Sequence, residues 1–105
     1  MKERLIRHEQ DIQRAAHSIK AMAHPIRLKI LCTLGEGRSN VQQIVEACGT
    51  TQSNISQHLA ILRDKGILGY QKEANQVFYF IDDPRTIQLI SMMREVFCTQ
   101  DDSQD

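Results

Sequence analysis

At 105 residues the chain has room for one domain with one modest hydrophobic core. Thirteen Lys and Arg offset thirteen Asp and Glu, so the net charge is zero, which speaks against a broad basic field for nucleic acid. Hydrophobic residues make up 41% of the sequence, yet no apolar run nears the ~20 residues that span a bilayer, and the charged opening stretch is no signal peptide; the expected compartment is the cytoplasm.

Residues 7–23 read as a first helix, with Ile12, Ala15, Ala16, Ile19, Met22 and Ala23 in a mostly apolar stripe. His24-Pro25 breaks it, and proline suits the first turn of a second helix over residues 26–34. There Ile26, Leu28, Ile30, Leu31, Cys32 and Leu34 occupy nearly the whole circumference, the pattern of a central buried helix. Gly35-Glu36-Gly37 ends it. Ser39 or Asn40 caps a short third helix over residues 41–47, with Ile44 and Val45 facing in. Cys48-Gly49-Thr50-Thr51 is then a tight turn.

Residues 51–66 form the next helix, capped by Thr51 or Ser53 and ended by Gly66. Ile55, Leu59 and Leu62 recur at helical spacing. The opposite face carries Gln52, Ser53, Asn54, Ser56, Gln57 and His58. Gln and Asn side chains bridge two positions on an adenine edge, and Ser or Thr bind a base edge or a phosphate. Such a helix is either a DNA reader or an ordinary surface helix with a polar face. The flanks favour the reader, because short helix, glycine-containing turn and second helix is the helix-turn-helix arrangement. Residues 67–72 and 77–81 are β-rich runs around Glu73-Ala74-Asn75-Gln76, a hairpin or wing. Lys72, Asn75 and Gln76 lie where a wing meets the DNA backbone or minor groove. Asp82-Asp83-Pro84 starts a last helix. Its apolar residues, Ile87, Leu89, Ile90, Met92, Met93, Val96 and Phe97, cover too much of it for one face. A homodimer joined through the first and last helices is the simplest way to bury them.

The expected fold is mainly α with a small β-hairpin, a winged helix-turn-helix. Residues 1–100 form the DNA-binding and dimerisation domain, and residues 101–105 an acidic disordered tail.

This order resembles the winged-helix repressors of the ArsR/SmtB family over nearly the whole chain. The carriers are KAMAHPIRLKIL at residues 20–31, QSNISQHLAILRDKGIL at residues 52–68 and VFYFI at residues 77–81. The resemblance implies a homodimer that represses from a palindromic operator in double-stranded DNA and leaves it when an inducer is sensed. It implies a DNA-contacting set of Thr51, Gln52, Ser53, Asn54, Ser56, Gln57 and His58, with Lys72, Asn75 and Gln76 on the wing.

Many members of that family sense metal ions. One of their sites resembles a CxC pair in the third helix, where this chain has SNVQQIVEA; another uses Asp and His on the last helix, where residues 86–97 have neither. His8, His17, His24 and Cys48 have no ligand-like spacing, so neither a metal nor another cofactor is expected.

Cys32, in LKILCTLGEG, and Cys98, in EVFCTQD, are similar in position to the cysteines of the subgroup that includes BigR, SqrR and HlyU. The resemblance implies that they respond to a persulfide, polysulfide or oxidant by forming a disulfide or longer sulfur bridge. Taken from the residues alone, Cys32 reads first as a small core hydrophobe. Three cysteines with no CxxC do not make a structural disulfide framework.

Three other functions compete with the thiol-switched repressor. One is a metal-responsive or constitutive DNA binder; another is an antirepressor. The third is a helical protein-interaction dimer. An enzyme is not expected: there is no phosphate loop, no nucleophile elbow and no cluster of acid, base and nucleophile.

Overall fold

The computed structural model describes residues 5–98. The tail expected at residues 101–105 lies outside them.

Helix α1 (Glu9–Met22) begins with Glu9 and Asp11 in its first turn and has Lys20 in its last, both matched to the helix dipole. Only its end is buried, through Ala21 and Met22. The expected stripe is therefore covered only in part: Ile12 and Ala15 are half-buried, whereas Ile19 is 52% exposed. Helix α2 (Pro25–Leu34) follows at once. His24 is its N-cap, and its Nδ1 accepts the Ile26 N–H at 3.0 Å. Ile30, Leu31 and Leu34 are buried, while Cys32 is exposed. The all-round apolar pattern thus conceals one open side.

The chain then forms a strand that the sequence reading missed, β1 (Arg38–Asn40). It leads into α3 (Val41–Cys48). Asn40 and Gln43 form a capping box: Asn40 Oδ1 accepts the Gln43 N–H at 2.9 Å, and Gln43 Oε1 accepts the Asn40 N–H at 2.8 Å. Gly49 ends α3 in the left-handed region, at φ 71°. Helix α4 (Gln52–Asp64) is capped by Thr51, whose hydroxyl accepts the Asn54 N–H at 3.1 Å.

Ile30, Leu31, Ile44, Ile55, Leu59 and Leu62 are the largest fully buried side chains. They come from α2, α3 and α4, so the core lies where these three helices meet.

Strands β2 (Leu68–Glu73) and β3 (Gln76–Ile81) form the hairpin, and β1 pairs with the other edge of β3, giving the antiparallel order β1-β3-β2. Arg38, Ser39 and Asn40 lie opposite Phe80, Tyr79 and Phe78. At the hairpin turn Ala74 takes φ 55°, a conformation that normally favours glycine. Helix α5 (Pro84–Phe97) closes the domain. Its N-cap Asp83 accepts the Arg85 N–H at 2.9 Å, and the Arg85 guanidinium holds the Asp83 carboxyl down to about 2.

No α5 side chain is fully buried. Ile87 and Ile90 rest on the core, whereas Met92 (55%), Val96 (63%) and Phe97 (75%) face outward. The exposed Ile19 of α1 adds to this uncovered apolar surface. The fold is a winged helix-turn-helix with one strand more than expected. Among the described residues, no helix is long and apolar enough to cross a membrane.

Gly69 offers a test of the sheet. A Cβ there would lie 2.7 Å from Cε1 of Phe80, its directly opposed partner. Gly69→Ala should therefore destabilise the domain by about 1–3 kcal/mol, read from the urea midpoint.

Candidate nucleic-acid interface and thiol cleft

The buried row Ile55, Leu59 and Leu62 fixes the rotation of α4 and turns the opposite side outward. Gln52, Ser53, Ser56 and Gln57 are exposed there. Their spacing places them on one side of the helix over its first two turns. None has a hydrogen-bond partner among the described residues, so all four are available to an external partner.

The other residues expected at this surface each make a contact inside the protomer. The Thr51 hydroxyl is the helix cap. Asn54 is half-buried, and its Nδ2 donates to Thr50 Oγ1 at 3.1 Å, stapling the turn that enters α4. His58 is half-buried on the flank facing α2, where its ring centroid lies 4.4 Å from that of His24. Its Nδ1 is 3.4 Å from Nη1 of Arg27. A guanidinium only donates, so His58 faces it as an acceptor and is neutral. Burial lowers the His58 pKa, and the neighbouring His24 and Arg27 add to the shift.

The wing divides similarly. Lys72 and Asn75 are exposed without partners among the described residues. Gln76 is held, because its Oε1 accepts from Nδ2 of Asn40 at 2.5 Å. One Asn40 side chain thereby caps α3 and grips the base of the wing. Arg38 lies 4.3 Å over the Phe78 ring and makes a two-pronged pair with Glu73, both hydrogen bonds 2.9 Å. This pair lowers the Glu73 pKa and offsets an acid near the wing tip. Sequence reasoning overlooked Arg38 because the strand carrying it has no apolar alternation. It also overlooked Arg27, whose one available signal was a cation in a helix's first turn.

On the other side of the protomer, α2 and α5 enclose a cleft of about 670 Å³. Leu28, Leu31, Ile87, Ile90 and Phe97 make most of its wall apolar, and both Cys32 and Cys98 line it. Both are free thiols and exposed, whereas Cys48 is buried in the core and lines no part of this cleft. The core reading of cysteine thus applies to Cys48 and not to Cys32. Among the described residues, no three His, Cys, Asp or Glu side chains gather into a metal-holding group.

Residues 24–70 match the family described as "Bacterial regulatory protein, arsR family". The chain is 33% identical over 93 residues to the "Biofilm growth-associated repressor" of Xylella fastidiosa, covering 89% of this chain and 82% of that one. It is 34% identical over 90 residues to the "Transcriptional activator HlyU" of Vibrio cholerae, covering 86% and 83% respectively. Among solved structures, the transcriptional repressor BigR from Xylella fastidiosa superposes with a TM-score of 0.81 at 33% identity, covering 88% of this chain and 94% of that one.

The His58 environment sets a pH dependence. Its folded pKa is depressed, so the unfolded chain takes up the proton first as pH falls. The stability held with His58 neutral is fully present above its ordinary value near 6.5 and declines as pH drops from there toward the folded pKa. Thermal melts stepped down from neutral pH should show this loss, and His58→Gln should flatten that part of the profile.

Proposed function

The chain belongs to the arsR family of bacterial regulatory proteins, and from that membership we propose a DNA-binding repressor that releases its operator when Cys32 and Cys98 become bridged. It is a transcriptional regulator of the BigR and HlyU type.

The reading face is Gln52, Ser53, Ser56 and Gln57. These uncharged side chains specify by hydrogen bonds to base edges, with Lys72 and Asn75 of the wing on the DNA backbone. Thr51, Asn54, His58 and Gln76 support that face through the hydrogen bonds and packing described above. Two copies join through α1 and α5, whose outward apolar residues supply a second copy with surface to bury. Their α4 helices then enter successive major grooves of a palindrome, about 34 Å apart. Such a regulator works in the cytoplasm.

One observation carries the switch: two thiols far apart in sequence line one cleft, between α2 and α5. With a persulfide RS–SH, one thiolate takes the outer sulfur and releases RS⁻. The second thiolate attacks the resulting Cys–S–SH, forming the disulfide and releasing HS⁻. A peroxide instead oxidises one thiolate to the sulfenic acid while being reduced to alcohol or water, and condensation with the second thiol releases water. A polysulfide RS–Sn–SR loses one RS⁻ to attack by the first thiolate, giving Cys–S–Sn–SR, and the second thiolate expels the other RS⁻, leaving a longer bridge. Closing a loop of this length constrains the chain by about 4 kcal/mol on the entropic account. A hundredfold change in DNA affinity needs only about 2.7 kcal/mol. The bridge suffices if it favours the DNA-free arrangement of the dimer.

A second reading is the antirepressor, a chain that raises transcription by displacing another DNA-bound protein; a relative named a transcriptional activator favours a positive role. Deleting the chain from a reporter strain separates the two. Target transcription rises if it represses and falls if it displaces a repressor.

Two sets of variants test the proposal. Ser56→Ala and Gln57→Ala should each weaken operator binding by about 1–3 kcal/mol for every base edge left unread, in a gel-shift titration. Unchanged affinity in both rejects α4 as the reader. Cys32→Ser and Cys98→Ser should each keep repression and lose release on polysulfide treatment, with the linked peptide absent by mass spectrometry. Loss of release in Cys48→Ser alone would overturn the assignment.

A further inference from the structure

Arg27 stands in the first turn of α2, where the helix dipole disfavours a cation, and that turn holds no acidic residue. Among the described residues it has no carboxylate partner. Its side chain is half-buried beside α4. The Nε is enclosed and has no acceptor. Nη1 makes one long approach, 3.4 Å, to the neutral Nδ1 of His58. The remaining amino group is neither paired nor enclosed. A guanidinium is built to hold an oxyanion, and here its only partner among the described residues is an imidazole. Meanwhile His58 lies one residue from Gln57, on the exposed row of α4, so Arg27 sits against the flank of that row.

We propose that Arg27 is a phosphate contact of the DNA interface, reaching the duplex backbone beside the groove that α4 enters. This rests on the reading of α4 as the DNA-facing helix. The ligand is a phosphodiester of the duplex, not a base. Arg27 then contributes to binding on any sequence, while the four residues of α4 discriminate. His58 is a positioning residue in this arrangement: uncharged, it fills the space between α2 and α4 and orients the guanidinium without cancelling its charge. A carboxylate in its place would hold Arg27 away from phosphate. The site also suits a chain of zero net charge, whose hold on the DNA backbone depends on where single cations stand and not on a broad basic field.

The test compares the full-length wild type with Arg27→Gln, Arg27→Lys and Gln57→Ala. Each is titrated by fluorescence anisotropy onto two duplexes, one of random sequence and one enriched from a random pool by the wild-type protein, across a series of KCl concentrations. Arg27→Gln should weaken both duplexes by a similar factor, of order tenfold. It should also flatten the slope of log affinity against log salt by about 0.9 for each protomer engaged. Arg27→Lys should keep the wild-type slope, and Gln57→Ala should lose affinity for the enriched duplex with its slope intact.

An unchanged slope in a folded Arg27→Gln overturns the proposal, and so does a loss confined to the enriched duplex, which would make Arg27 a support for α4. If Arg27→Gln does not fold, single methylphosphonate replacements in the enriched duplex decide the matter with wild type and Arg27→Lys. A neutralised phosphate should weaken the wild type and shift the response in the Lys variant at the same position; identical profiles overturn the proposal. Should Gln57→Ala, and Ser56→Ala beside it, bind the enriched duplex as the wild type does, the reading of α4 fails; should only the Arg27 slope fail to change, that reading stands and this inference falls.

Discussion

The burial of Ile55, Leu59 and Leu62 at the junction of α2, α3 and α4 determines what the rest of the domain presents. Three side chains at helical spacing leave α4 no freedom to rotate about its axis, so the same packing that holds the core also aims Gln52, Ser53, Ser56 and Gln57 outward. Removing apolar volume beneath the helix therefore disturbs more than stability, because a rotated α4 offers a different set of polar groups to the groove. Thr51 fixes the start of that row and Gly66 its end, at φ 76°.

Charge is deployed sparingly. Glu73 near the wing tip is matched by Arg38, and Asp83 at the start of α5 by Arg85. Arg27 has no such match among the described residues. In a chain without net charge, the placement of single cations matters more than their number, and long-range attraction to DNA is weak beside short-range hydrogen bonding. Recognition by such a surface favours discrimination over general adhesion.

Most of the architecture was legible in the sequence, since apolar periodicity and capping residues are local signals. The helix boundaries expected from Pro25, Asn40, Thr51 and Pro84 lie within two residues of those observed. The polar row on α4 followed from the same periodicity. What escaped depended on tertiary context. Strand β1 is Arg-Ser-Asn, with no alternation to mark it, and exists because β3 has a free edge beside it. Ile19 obeys the helical stripe yet faces out, because periodicity fixes which side of a helix is apolar and not what packs against it. His58 and Asn54 were legible as polar residues of α4, but not the contacts that each also makes inside the protomer, with Arg27 and Thr50. The two thiols share a cleft through the return of α5 against α2, which no local pattern encodes.

Asn40 gives the domain a mechanical property. Its side-chain oxygen satisfies a free N–H group of α3 while its amide nitrogen holds Gln76, and its backbone is paired to Phe78 in the sheet. A helix and a hairpin joined at one short side chain form a stiff lever, with little slack between its arms. Tilting the helix-turn-helix swings the wing tip by a larger distance in the same stroke. The face of α4 and the wing are thereby presented as one unit, and a substitution at Asn40 would loosen both at once.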